Sequence, residues 1–185
     1  MALKLCASAD ERREIVLACD ESIQAVNTQE QIEALRAGEA PDSLVIPDDA
    51  TRVVIRPLNT LGWQAAHLTA PVPPGLMPPA TIRDDGEAPE EKGPEGMFSH
   101  LAELPEDERI EAARLFTQWQ ARHSVAICEL GLDSLSLLPD VRPCTQDGLR
   151  RFPREEVLRL PLQAIVEIAE AIARLSTVGK ALQSR

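Results

Sequence analysis

Aromatic residues are nearly missing from this chain of 185 residues: it has three Phe, two Trp and no Tyr. A core must therefore be built from Leu, Ile, Val and Ala, and an apolar fraction of 44% supplies enough of them. Positive charge is also short, with 19 Lys and Arg against 30 Asp and Glu and a net charge of −11. That balance opposes binding to nucleic acid or to an anionic membrane. No apolar run reaches the roughly 18 residues that a transmembrane helix needs. The opening, MALKLCASADERRE, has too short an apolar run for a signal peptide. A cytosolic chain is the expectation.

Cysteine is sparse. Cys6, Cys19, Cys128 and Cys144 are widely spaced and form no CxxC, so free thiols are expected. A zinc site needs ligand pairs at short spacing. His123 and Cys128 are five residues apart, which does not place them on one helical face. Only three histidines occur, and no glycine-rich phosphate loop does. The residues therefore offer no catalytic group, no metal site and no cofactor, and an enzyme is not expected.

What is present is organised around Thr51 to Ala70. Val53 and Ile55 alternate with Arg52, Val54 and Arg56, as in a half-buried strand. Pro57 ends that strand or puts it at an edge. Asn59 and Thr60 are good helix N-caps. Leu61, Ala65 and Leu68 then recur at near-helical spacing, with Trp63 off that stripe as an anchor for the turn. Pro71 stops the helix. Residues 12 to 20, RREIVLACD, form a second strand-like run, predicted to pair antiparallel with Arg52 to Leu58. Between them Thr28 and Gln31 make a capping box, Ile32 and Leu35 a short helix, and Gly38 its C-terminal cap. Leu44 to Ile46 is a candidate to extend the sheet before the turn at Pro47.

Residues 71 to 96 hold seven prolines and four glycines, and their second half is acidic. Such a segment buries too little apolar surface to offset its ordering entropy. It reads as a linker, or as an arm with Val72, Leu76, Met77 and Ile82 as anchors for a partner. Beyond it, residues 105 to 131 predict a long helix with acidic residues at its positive end. Its apolar face would hold Ile110, Ala113, Phe116, Trp119, Ile127 and Leu130, with Gly131 as its cap. Residues 132 to 153 read as irregular, with a turn signal at Gln146-Asp147-Gly148. Arg150, Arg151 and Arg154 bunch there as candidates to meet carboxylates of this chain or of a partner. Leu162, Ile165, Ile168, Ala169, Ile172 and Leu175 give the last helix a strong apolar stripe.

The fold class expected is α+β: a small N-terminal antiparallel sheet with a packed helix, a Pro-rich acidic linker or arm, and a helical C-terminal half. The divisions fall at 1–70, 71–96 and 97–185. Strand character is expected only before residue 60.

Three strings in this chain, IVLACD, VVIRPL and LPLQAIVEIAEAIARLSTV, together with Trp63 and the turn at Asp147-Gly148, resemble siphophage tail assembly chaperones and related tailed-phage morphogenesis proteins. CELGLDSL stands where that pattern has a Trp-Asn dipeptide, and the Pro-rich insertion is unusual for it. The resemblance implies a non-enzymatic role, without catalytic residues. It implies partners among other phage structural proteins or copies of itself, with no nucleic acid or membrane. It places the chain in the host cytoplasm during assembly or in the virion. An acidic regulator that blocks a basic partner surface is the alternative. The partner-binding candidates are Trp63, Val72, Leu76, Met77, Ile82, Arg150 and Arg151.

Overall fold

A computed structural model describes residues 11–39, 41, 43–76 and 104–181, with side chains as far as residue 176. In chain order these are β1 (Arg13–Val16), α1 (Glu21–Val26), α2 (Gln29–Ala37), β2 (Arg52–Ile55), α3 (Thr60–Thr69) and a 3-10 turn (Pro74–Leu76). Then come α4 (Glu106–Gly131), β3 (Leu132–Leu135), the hairpin β4 (Cys144–Gln146) and β5 (Leu149–Arg151), α5 (Arg154–Val157) and α6 (Leu162–Ala181). The protein is α+β, with a small antiparallel sheet and a largely helical second half.

The sheet order is β1-β2-β3. β1 and β2 pair antiparallel as their alternation predicts, with Arg13 opposite Ile55 and Val16 opposite Arg52. Val53 and Ile55 are buried while Arg52, Val54 and Arg56 lie on the other, more open face. β1 ends earlier than the expected run to residue 20. The Asp20 carboxylate accepts from Ser22 N at 2.8 Å, caps α1, and turns the chain away from the sheet. The Thr28 capping box and the left-handed Gly38 cap of α2 both form.

Four expectations are corrected. The third strand is not Leu44 to Ile46. That segment is a loop whose Val45 is held by the side chain of Asn27, through bonds of 2.7 and 2.9 Å. The third strand is β3, which follows directly on α4 and carries a bulge opposite Val54 and Ile55. Strands thus occur well beyond residue 60, and the stretch read as irregular also holds the β4–β5 hairpin. Asp147 and Gly148 both take positive φ, 51° and 73°, the conformation of a two-residue hairpin turn. Of the stripe assigned to α3 only Ala65 packs on the core, while Leu61 is 63% and Leu68 83% exposed. Gly62 and Ala66 face inward instead, because small side chains let this helix approach closely. Finally, Gly131 is the last residue of α4 and not a left-handed cap.

One core draws on both halves of the sequence. Val53, Ile55 and Leu58 pack with Val125, Leu130, Leu132 and Leu135 and with Ile165, Ile168 and Ile172 of α6. The Pro-rich stretch interrupts the sequence without separating two cores. Its start is itself inside: Leu76 is fully buried.

Candidate functional site

Three polar assemblies lie on this frame. The first ties the N-terminal strands to α6. The buried Glu167 carboxylate accepts from the amides of Ala18 and Cys19, the latter at 3.0 Å. Asp20 accepts from Thr51 N at 2.9 Å, which locks the end of β1 to the start of β2. Partial burial disfavours the Asp20 carboxylate, but the donors of Thr51 and Ser22 outweigh that and hold its pKa down to about 2. Burial, then the charge of Glu167, pushes the Cys19 thiol up to about 12. The Leu58 amide donates to Ser176 Oγ at 2.8 Å, and Ser176 Oγ donates to Ile172 O at 2.6 Å.

The second is an arginine group around β3 and the hairpin. Asp133 pairs with Arg12 at 3.0 Å and with Arg150 at 2.8 Å. Buried Glu129 faces Arg154 and Arg151, the latter at 3.8 Å. Burial raises the pKa of Glu129, against the pull of the two guanidinium groups. Arg56 is half-buried, donates Nη2 to the Arg150 carbonyl, and has no carboxylate at ion-pair distance among the described residues. Burial, then the charges of Arg150 and Arg12, lowers its pKa.

The third is a stack of rings between α3 and α4. His67 and His123 lie 4.9 Å apart, His123 and Trp119 5.0 Å, and Trp63 and His67 6.2 Å. Trp119 Nε1 donates to Ala70 O at 3.1 Å, fixing the end of α3 on α4. Among the described residues, the buried His123 Nδ1 has no hydrogen-bond partner. Burial, then the nearby His67, pushes its pKa down to about 4.

The residues singled out from the sequence do not meet at one place. Trp63 is in the ring stack and packs on the core. Leu76 is fully buried in the protein's own interior. Val72 is half-exposed before the 3-10 turn. Met77 and Ile82 lie outside the described residues. Arg150 and Arg151 are brought together, and each meets a carboxylate of this chain. Sequence reading missed Arg56, whose place between two other arginines depends on the β2–β3 pairing. Asn59 and the RPL string were the only signals near it.

Cys19, Cys128 and Cys144 are unpaired thiols, and Cys6 lies outside the described residues. Among the described residues no group of three or more His, Cys, Asp or Glu is placed to hold a metal ion. Among the same residues no helix is long and apolar enough to cross a membrane. No protein-family model, curated protein or solved structure matches this chain.

Proposed function

We propose that this chain is a non-enzymatic morphogenesis protein of a tailed phage, of the tail assembly chaperone kind or an accessory part of the tail. It works through contacts with other structural proteins or with copies of itself. One observation carries the reading. The three strings of the resemblance, far apart in sequence, are in mutual contact. IVLACD and VVIRPL pair as β1 and β2. Leu58 of the RPL string bonds to Ser176 of the ARLSTV string, and Glu167 of the same helix holds Ala18 and Cys19 of the first string. Their contact supports the reading, since strings that mark one family's fold are expected to build one contiguous unit.

The test is to recover a tagged copy from cells that produce the phage and identify what it retains. Tail or capsid subunits retained in proportion to the bait are the expected result. A basic nuclease or polymerase retained instead would favour the acidic-regulator reading and end this one.

A further inference from the structure

The outer face of the sheet is covered by no helix among the described residues. It forms an open trough of about 550 Å³ floored by Val54 and Ser134. Arg52, Arg142 and Arg150 rim it, with Glu14 and Asp133 as the acidic groups on its walls. Arg56 lies just behind Arg150 and lines a smaller cleft of about 200 Å³ with Asn59 and Thr145. Four arginines thus stand against two carboxylates in a chain whose net charge is −11. Arg52 is matched by Glu14 at 3.1 Å and Arg150 by Asp133 at 2.8 Å. Among the described residues, Arg142 and Arg56 have no carboxylate at ion-pair distance. The hydrogen bond Arg142 makes among the described residues is to the neighbouring Val141 carbonyl, at 3.0 Å.

We infer that this trough, rimmed by Arg52, Arg142 and Arg150 with Arg56 behind it, docks a short carboxylate-rich segment of a partner protein. Guanidinium groups pair with carboxylates through two parallel hydrogen bonds, so unmatched arginines at a rim select planar anions. The positive field is local. At physiological salt it is screened within about 8 Å, and beyond it the acidic surface repels a long polyanion. A short acidic segment matches that geometry, whereas a nucleic acid strand would run off the patch into repulsion. The inference rests on the reading above in one respect, that this chain acts by binding proteins.

The experiment measures anisotropy of a fluorescein-labelled ten-residue peptide of alternating Glu and Gly, titrated with the full-length protein at low and physiological salt. A Gln-Gly peptide and a ten-residue oligothymidylate are the comparison probes. The expected result is binding of the Glu peptide alone, weakened at least tenfold by Arg142→Glu and by Arg52→Glu. Arg109→Glu, on the exposed start of α4, should leave it unchanged. Unaltered circular dichroism shows that each variant is folded. No Glu-peptide binding at low salt would overturn the inference, as would equal losses in all three variants. Tighter binding of the oligothymidylate would overturn the choice of carboxylate. A chain that retains tail subunits but ignores the Glu peptide would lose this surface and keep the proposed function. A chain that binds the peptide through Arg142 but retains no phage subunit would do the reverse.

Discussion

Residues 106–123 and 124–131 are the two ends of one helix, α4, and they live in different surroundings. In the first, only Ala112 is buried, and Ile110 is 65% exposed. In the second, every residue is buried, including Ser124, Glu129 and Gly131. The helical stripe Ile110, Ala113, Phe116, Trp119, Ile127, Leu130 treats both ends alike, as if each had one inner face. The difference comes from neighbours. α6 packs along the buried end, β3 leaves it directly, Phe152 after the hairpin bonds to its Glu129 carbonyl at 2.7 Å, and Arg56, just past β2, donates its amide to the Gly131 carbonyl. A helix surrounded on all sides loses its amphipathic period, and polar residues within it survive only with partners. Glu129 has Arg154 and Arg151.

The comparison can be broken most easily at the buried end. Leu130→Ala should cost about 2–5 kcal/mol, because the surrounding sheet and α6 cannot fully collapse into the space. Urea unfolding measures it, and a cost under 1 kcal/mol would mean that this end is not the centre of the core. Gly131→Ala comes next. A methyl there would lie 2.6 Å from Ile172 Cγ2, an overlap worth about 1–3 kcal/mol. Combining it with Ile172→Ala should destabilise by less than the sum of the two single changes, since the smaller residue removes the clash. Simple additivity would show that the close approach does not matter.

Between the two ends sits His123. Its folded pKa is pushed down to about 4, by burial first and His67 second, while an unfolded imidazole titrates near 6.5. Between those values the unfolded chain takes up a proton that the folded chain refuses. Stability is therefore full above about pH 6.5 and falls as pH drops toward 4. The fall should be on the order of 1–2 kcal/mol, since the ring is partly exposed and screened. His123→Phe should flatten that part of the stability profile; a slope equal to that of the parent protein would assign it to other groups. The smallest effect belongs to the open end. Ile110→Ala should shift stability by no more than about 0.5 kcal/mol, and a larger loss would reveal a covered surface there.

Much of the fold was legible because the signals were local. The Thr28–Gln31 capping box, the Gly38 cap, Asn59 as N-cap and the Asp147-Gly148 turn each act within a few residues. The β1–β2 pairing followed from two β-branched runs. The apolar stripe of α6 held for Ile165, Ile168, Ala169, Ile172 and Leu175, although Leu162 is exposed. The candidate site was much less legible. Arg150 and Arg151 were visible as a cluster, but their counter-charges were not: Asp133 sits in β3, which has no strand-like alternation, and Glu129 is buried near the end of α4, where only the packing shows which way it faces.

The sequence by itself determined where helices start and turn, which two early runs form strands, and that the core is aliphatic. Those follow from hydrogen-bonding groups and side-chain shapes acting on their own neighbourhood. Only the tertiary structure decided which face of α3 points inward, that LDSL becomes the third strand, and that Leu76 belongs to the interior. LDSL takes its place because the end of α4 delivers it beside the free edge of β2, where unpaired backbone groups must find partners. Leu61 and Leu68 yield the inner face to Gly62 and Ala66 because close packing rewards fit as well as hydrophobicity. Arg56 gains its significance the same way: an ordinary strand residue in sequence, it becomes a half-buried charge between two others once β2, β3 and the hairpin meet.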